Sequence, residues 1–220
     1  MRSNFYSQKY QDIYFTPDDP ESEKQFVFIE ANHIAERITQ AEIFTVAELG
    51  FGFGLNCALT QHAANKADCS RRLRYFSVEE SFPPQDEIRV LADKLKICRE
   101  EYVALWAQPF SEQPGIHVHE GSAASCVNMD FLADVWYFDG FSPAKNPDMW
   151  SAEVFARAFA HTRPGGTFST YTSAGWVRRN LEAAGFVVNK VRGFGNKREM
   201  LVGHRNPDLL SVETVNEGGL

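Results

Sequence analysis

One carboxylate, Asp139, stands between an apolar run and a stiffened loop, in the stretch ADVWYFDGFSPAKNPDMW that ends at Trp150. The loop contains two prolines, which fix their own φ and restrict the residue before them, so it is held in one shape. A carboxylate held in this way can accept hydrogen bonds from an amine, orient its lone pair and favour loss of its proton. We therefore predict that Asp139 is catalytic. The alternative is an acid that caps a helix or braces the loop.

The rest of this loop carries candidates for holding a substrate. The Phe141-Ser142-Pro143 turn offers backbone carbonyls as further acceptors for an amine. An aromatic ring such as that of Trp150 can stack on a flipped base, which contributes roughly 1–3 kcal/mol, although Trp150 could equally belong to the core. Substrate binding is predicted for Pro143, Lys145, Asn146 and Trp150.

A second candidate site is the glycine-rich segment AELGFGFGLN, with glycines at 50, 52 and 54. Glycines allow sharp turns and close approach of a ligand to the backbone. The segment does not match the dinucleotide fingerprint G-x-G-x-x-G, because position 55 is leucine, and no GK[ST] follows. This disfavours a nicotinamide oxidoreductase and favours a ligand with a ribose and an amino-acid tail, namely S-adenosylmethionine. A tight turn in a non-binding domain is the alternative.

Two further acids lie at predicted strand ends near these glycines. Glu79 ends the next strand, where a carboxylate can accept bonds from both ribose hydroxyls. Glu48 directly precedes the glycines and could orient the loop or meet the ammonium group of the methionine part.

The elements that position these residues alternate between strand and helix, which predicts an α/β fold with a mostly parallel sheet and helices on both faces. In such sheets ligands bind beyond the carboxyl ends of the strands. The predicted strands are 25–29, 44–49, 71–81, 115–121, 134–138 and 166–172, followed by a C-terminal antiparallel hairpin within 186–203. The predicted helices are one from about 32, then 55–64, 86–106, 122–131, 149–162 closed by RPGG, and 173–185.

Composition limits the class of protein. The chain has 220 residues and a net charge of −7, and no apolar run approaches the roughly 20 residues of a membrane span. We expect a soluble, cytoplasmic protein with one domain. The four cysteines form no CxxC pair, and His117 and His119 have no third ligand nearby in sequence, so free thiols and no metal site are expected.

Charge is distributed unevenly along the chain. Residues 172–205 contain seven basic and two acidic residues, a net of +5, whereas the remaining 15 basic and 27 acidic residues give −12. A local basic surface on an acidic protein can bind a phosphate backbone, although a solvated helix face plus a basic hairpin explains it equally well. Phosphate contacts are predicted for Arg178, Arg179, Lys197 and Arg198. Adjacent arginines on a helix cannot face one way, so one of Arg178 and Arg179 is expected to bind and the other to be structural.

Several of these motifs together resemble a known family. ELGFGFGLN, SVEES, DVWYFDGFSPAKNPDMW, TSAGWVRRNLEAAGF and GFGNKREMLVG are similar to the methyltransferase module of the bifunctional enzyme that completes 5-methylaminomethyl-2-thiouridine at the tRNA wobble position. The resemblance runs from about Tyr6 to Gly203. It implies a class I, Rossmann-like S-adenosylmethionine fold and methyl transfer to the primary amine of 5-aminomethyl-2-thiouridine, with tRNA as partner.

The resemblance also implies roles for individual residues. Asp139 would lie between the cofactor and the amine, and Glu79 would hold the ribose. Near the adenine the family has an acid where this chain has Ser122, so adenine contacts are not carried over. The predicted cofactor-binding set is Glu48, Gly50, Phe51, Gly52, Gly54, Asn56, Glu79, Ser122, Asp139, Gly140 and Phe141.

Domain boundaries follow from the same resemblance. We expect one methyltransferase domain over 1–205, with an N-terminal extension over 1–40 and a tail over 206–220. The family enzyme continues into a flavin-dependent oxidase that removes a carboxymethyl group, whereas this sequence stops at Leu220. Oxidase activity is therefore expected to be absent, and a separate enzyme is expected to supply the aminomethyl precursor.

Two other functions remain open from the sequence alone. A methyltransferase of the same fold could act on a small-molecule amine, which suits the acidic net charge. A non-catalytic module that binds RNA or a protein partner is the other alternative, which the intact Asp139 loop disfavours.

Overall fold

A computed structural model describes residues 5–16, 18–124 and 130–208, which fold around one large sheet. Its seven strands lie in the order β5-β4-β3-β6-β7-β9-β8. A short antiparallel pair, β1 with β2, lies near the N-terminus. The strands are β1 (Tyr6–Ser7), β2 (Asp12–Ile13), β3 (Phe44–Leu49), β4 (Leu73–Glu79), β5 (Ile116–Glu120), β6 (Ala133–Phe138), β7 (Thr162–Thr170), β8 (Val187–Val191) and β9 (Met200–His204).

The order of the strands fixes where a ligand can bind. Strands β3 to β7 are parallel, and β9 pairs antiparallel with both β7 and β8. The chain runs outward from β3 through β4 to β5, and then returns to place β6 on the other side of β3. The switch point therefore lies between the carboxyl ends of β3 and β6. The predicted α/β architecture and the C-terminal hairpin are confirmed.

Helices cover both faces of the sheet, as the alternating pattern predicted. Alternate residues of β6 belong to the two apolar clusters: Val135 and Tyr137 to one, Trp136 and Phe138 to the other. The first cluster includes residues of the helices Leu55–Lys66 and Arg99–Trp106, and the second includes residues of the helices Ala152–Ala160 and Gly175–Ala184. The helices are α1 (Pro20–Lys24), α2 (Ile34–Arg37), α3 (Leu55–Lys66), α4 (Gln85–Ala92), α5 (Arg99–Trp106), α6 (Ala152–Ala160) and α7 (Gly175–Ala184).

The strand predicted over 25–29 is wrong, because this segment is helical. Helix α1 begins after Asp19, whose side chain accepts a hydrogen bond from the Ser22 N–H, and it continues into a π-helix over Gln25–Glu30. The buried residues Lys24, Val27 and Phe28 lie three or four positions apart, which is the spacing of one helix face. The apparent alternation within QFVFI was therefore misleading.

The single helix predicted over 86–106 is two helices, α4 and α5. The buried side chain of Glu21 accepts hydrogen bonds from the backbone N–H groups of Lys96, Ile97 and Cys98, at 2.7, 2.9 and 3.0 Å. The Cys98 N–H is one of the free donors at the start of α5, and the other two bonds hold the link between the two helices. A contact from a distant part of the chain thus supports the break, and the local sequence could not reveal it.

Other boundaries also differ from prediction. The segment RPGG does not close a helix; it lies inside β7, where Gly165 and Gly166 exchange backbone hydrogen bonds with Arg205. Helix α6 begins at Ala152, after a 3₁₀ turn over Pro147–Trp150. Half of the helix predicted over 122–131 and most of the tail over 206–220 lie outside the described residues. Among the helices that are described, none is long and apolar enough to cross a membrane.

Candidate active site

A cavity of about 1060 Å³ lies at the carboxyl edge of the sheet, at the switch point. The loops that follow β3, β4 and β6 line it, together with the N-terminal segment over residues 9–16 and parts of α1 and of the turn between β8 and β9. Most of the predicted cofactor residues line this cavity: Gly50, Phe51, Gly52, Asn56, Glu79, Ser122, Asp139, Gly140 and Phe141.

The glycine loop brings the ends of the three strands together. Gly50 and Gly52 have φ of +90° and +51°, in the left-handed region that favours glycine. A Cβ at Gly50 would collide with the backbone oxygen of Asp139, and the Gly52 N–H donates to Glu79 Oε2 at 2.7 Å. Gly54 also has a positive φ, but a Cβ there would meet Phe51 and Leu105, so this glycine serves packing behind the cavity.

Glu79 lies at the end of β4 with its carboxylate held in place. One carboxylate oxygen, Oε2, accepts the bond from Gly52. The other, Oε1, accepts a hydrogen bond from the Ser81 N–H at 3.0 Å. Burial raises the pKa of Glu79, whereas these backbone hydrogen bonds lower it. A carboxylate fixed at this strand end can accept further bonds from a ligand in the cavity, which suits hydroxyl groups.

Asp139 is largely enclosed and has two side-chain partners. Its Oδ2 accepts from Asn56 Nδ2 at 2.7 Å and forms an ion pair with Lys24 Nζ. The side chains of Asp139 and Lys24 are each 10% exposed, so both lie in the cavity wall. Lys24 was not predicted, because nothing in its local sequence distinguishes it from a surface lysine.

Glu48 lies beneath the cavity rather than in its lining. It is 1% exposed and accepts from Asn56 Nδ2 at 2.8 Å and from Ser77 Oγ at 2.9 Å. Burial, followed by the charge of Asp139, raises the pKa of Glu48 to about 8. The prediction that Glu48 could orient the site remains compatible with this geometry, whereas direct contact with a ligand in the cavity does not.

The loop after Asp139 divides into buried and exposed parts. Trp150 is fully buried, and its Nε1 donates a hydrogen bond to the Phe141 carbonyl at 3.0 Å, so it braces the loop. A buried ring cannot stack on a base, and the prediction that Trp150 binds substrate is therefore wrong. Pro143 is also buried and does not line the cavity. Lys145 and Asn146 do line it, as substrate contacts require.

An N-terminal segment over residues 9–16 covers part of the cavity. The Tyr10 ring stacks on Phe141 with centroids 4.6 Å apart, and the Tyr10 hydroxyl donates to Glu80 at 2.6 Å. Asp12 accepts from the Ser142 N–H at 3.1 Å and pairs with Lys145 Nζ at 3.1 Å. No local motif predicted this cover, because these contacts join residues that are 70 or more positions apart.

The predicted phosphate-binding residues do not form one group. Lys197 lines the cavity, pairs with Glu23 at 2.5 Å and lies 4.6 Å from the Tyr171 ring centroid. Arg178 pairs with Glu182 at 3.3 Å along α7. Arg179 and Arg198 are exposed and do not line the cavity. The two adjacent arginines thus have different surroundings, although their roles remain predictions.

Comparison with known proteins identifies the class of fold and chemistry. A family model described as S-adenosyl-L-methionine-dependent methyltransferase matches residues 93–206, which is just over half of the chain.

Curated relatives carry a more specific name. The chain is 40% identical over 218 residues to the tRNA 5-methylaminomethyl-2-thiouridine biosynthesis bifunctional protein MnmC of Chromohalobacter salexigens, covering 90% of this chain and 31% of that protein. It is 37% identical over 221 residues to the protein of the same name from Nitrosospira multiformis, covering 92% of this chain and 36% of that protein. The chain therefore spans about a third of the length of these relatives.

Solved structures support the same fold. MNMC2 from Aquifex aeolicus superposes with a TM-score of 0.74 at 23% identity, over 92% of this chain and 66% of that one. Spermidine synthase from Thermotoga maritima superposes with a TM-score of 0.55 at 13% identity, over 90% of this chain and 64% of that one.

Proposed function

Because the chain belongs to the S-adenosyl-L-methionine-dependent methyltransferase family, we propose that it methylates the primary amine of 5-aminomethyl-2-thiouridine at the wobble position of tRNA. The product is 5-methylaminomethyl-2-thiouridine. One observation carries the proposal: a nearly buried carboxylate, Asp139, lies in the wall of the cavity at the switch point of the sheet. The names of the curated relatives support the choice of substrate.

The residues around the cavity fit S-adenosylmethionine. The Glu79 carboxylate at the end of β4 suits the two ribose hydroxyls, and the glycine loop lets backbone approach the ligand closely. The buried Oδ1 atom of Asn56 has no hydrogen-bond partner among the described residues, so it can accept from a donor such as an ammonium group. When bound, this cofactor supplies an electrophilic methyl group on a positively charged sulfur.

The chain's own residues then align the acceptor amine. The Asp139 carboxylate accepts hydrogen bonds from the amine and orients its lone pair, while Asn56 fixes the carboxylate by a bond of 2.7 Å. Proximity and alignment of this kind can contribute about 7–11 kcal/mol to lowering the barrier. The N-terminal cover and Phe141 restrict access of water to the cavity.

Binding of tRNA is proposed for the surface around the cavity mouth. Lys145 and Lys197 line the cavity, and Arg179 and Arg198 are exposed outside it. Such side chains can contact phosphates near the modified base. A tRNA substrate would place the protein in the cytoplasm.

The acceptor amine requires another reaction to form it. We propose that a separate catalytic unit removes the carboxymethyl group from the precursor. That step is oxidative, and the names of the curated relatives describe bifunctional proteins.

The test uses tRNA from cells unable to complete wobble-uridine modification. The tRNA is incubated with the protein and S-adenosylmethionine, digested to nucleosides and analysed by mass spectrometry. We expect 5-aminomethyl-2-thiouridine to gain one methyl group. No gain, in a protein that still binds the cofactor by calorimetry, would exclude this substrate.

A second candidate is methylation of a small-molecule amine. Three lysines at the cavity, Lys9, Lys145 and Lys197, are each paired with a carboxylate, which reduces the positive charge available to a phosphate backbone. This alternative predicts turnover of free amines without RNA and little dependence on salt. Competition between tRNA and short alkylamines for the labelled methyl group distinguishes the two substrates.

A further inference from the structure

Methylation of an amine at Asp139 poses an electrostatic problem. The amine exists in water mainly as an alkylammonium ion, and an isolated carboxylate beside it stabilises that charged form. The protonated form has no lone pair and cannot attack a methyl group. A site with Asp139 as its only charge would therefore bind the substrate in the wrong protonation state.

Lys24 supplies a fixed positive charge at this point. It is the last residue of α1, it is buried, and its ammonium pairs with the same Asp139 oxygen that Asn56 contacts. The ammonium also lies 5.4 Å from the centroid of the Phe28 ring. Its apolar and enclosed surroundings strengthen its electrostatic effect on neighbouring groups.

Three other titratable groups near Asp139 and Lys24 are neutral at pH 7, so they add no charge beside this ion pair. The pKa of Glu48 is raised to about 8, so Glu48 is mainly neutral at pH 7. Burial raises the pKa of Tyr171, and that hydroxyl stays neutral while it donates to the Gly140 carbonyl. Burial raises the pKa of Tyr14 to about 12, so it too is neutral.

Charged groups at the edge of the cavity are also compensated. Glu23 pairs with Lys197 and Asp12 pairs with Lys145. Glu79 lies at the end of β4 and is bonded to backbone N–H groups. Close to Asp139 itself, the charges of Asp139 and Lys24 therefore cancel.

We propose that Lys24 is a positioning residue that neutralises Asp139, so that the acceptor amine binds there without being held in its protonated form. The inference rests on the proposed function, because it concerns the same amine. The substrate ammonium gives one proton to solvent on binding. Its lone pair then forms the new N–C bond, the electron pair of the S–C bond remains on sulfur, and the positive charge passes to the product, a secondary ammonium.

The test is the pH dependence of single-turnover methyl transfer to aminomethyl-containing tRNA, from pH 6 to 9.5. Lys24→Met removes the charge and keeps the length of the side chain, and Lys24→Arg keeps the charge. Without the cation the amine holds its proton more strongly. We therefore expect the pH at which the rate rises to be higher in Lys24→Met than in the wild type, by about one unit or more. The deficit of Lys24→Met, about tenfold at pH 7, should shrink as the pH increases. Lys24→Arg should keep the wild-type profile.

Lys66→Met, which removes an exposed lysine at the far end of α3, is the matched control and should leave the profile unchanged. A deficit of Lys24→Met that is the same at every pH would mean that Lys24 is only structural, and would overturn the proposal. So would an equal shift in Lys24→Arg. If Lys24→Met fails to fold, Lys24→Gln carries the same test, because it retains a hydrogen-bond donor. Absence of product with the wild-type protein would instead overturn the proposed function itself.

Discussion

At the scale of single residues, the centre of the site is one amide between two carboxylates. Asn56 Nδ2 donates to Asp139 at 2.7 Å and to Glu48 at 2.8 Å, which uses both of its hydrogens. Burial disfavours ionisation of Glu48, and the nearby charge of Asp139 disfavours it further. Glu48 therefore holds its proton near neutral pH, whereas Asp139 pairs with Lys24.

The raised pKa of Glu48 has a consequence for stability. In the unfolded chain this carboxyl ionises near its ordinary value of 4.5, whereas in the native state it does so near 8. Between these values the native state holds a proton that the unfolded state has released, so the free energy of unfolding falls as the pH rises through this window. We expect a loss on the order of a few kcal/mol by pH 8. Glu48→Gln, which mimics the neutral acid, should remove most of that loss.

Urea unfolding at pH 5.5, 7 and 8.5 checks this expectation. Glu42→Gln, which changes an exposed acid just before the same strand, should keep the wild-type dependence on pH. If Glu48→Gln and the wild type lose stability in parallel, Glu48 is ionised in the native state and the electrostatic account of the site is wrong.

At the scale of elements, the break between α4 and α5 depends on Glu21. Its carboxylate accepts three backbone hydrogen bonds from residues 96–98 and is 4% exposed. Glu21→Ala leaves three backbone donors without their partner, and the Cys98 N–H among them is buried, so we expect a loss of about 2–4 kcal/mol in the free energy of unfolding. Glu100→Ala, an exposed acid in the first turn of α5, should change it by less than about 1 kcal/mol. Denaturant unfolding of both variants is the measurement, and equal losses would contradict the capping role.

Elements were predictable where the pattern is local. The β3 strand, helix α7 with its left-handed stop at Gly185, and the closing hairpin all follow from short-range periodicity and glycine placement. The failures depend on distant contacts. The helical character of 25–30 follows from burial against other elements, and the start of α5 follows from a side chain more than 70 residues away.

At the scale of the whole molecule, the acidic chain carries exposed arginines outside the cavity, among them Arg179 and Arg198. Each exposed arginine that contacts a phosphate releases counterions on binding, so it adds to the salt dependence of affinity. Arg179→Gln and Arg198→Gln should each weaken tRNA binding a few-fold and reduce the salt slope by about one. Arg99→Gln, at the start of α5, is the control and should leave the slope unchanged. Filter binding at several salt concentrations measures the tRNA affinity of all three variants. If the salt slopes of Arg179→Gln and Arg198→Gln equal that of the wild type, these arginines do not contact tRNA.

The site as a whole was only partly predictable from the sequence. The strand-end residues Glu79 and Asp139 and the glycine loop could be placed at one edge, because parallel strands end together. Lys24 and the N-terminal cover could not, since they reach the cavity only through the tertiary fold. The role of Trp150 was ambiguous because an aromatic residue in a loop can serve packing or binding, and only its burial in the fold decides for packing.

The most direct test of the account is the single-turnover rate of Asp139→Asn, with cofactor affinity measured by calorimetry on the same preparation. The substitution keeps the size of the side chain but removes the anion beside the amine. We predict a fall in the rate of methyl transfer of roughly a hundredfold or more, with cofactor affinity changed only a few-fold. A variant that transfers the methyl group within about threefold of the wild-type rate would show that the chemistry takes place without the Asp139 carboxylate, and would contradict the account.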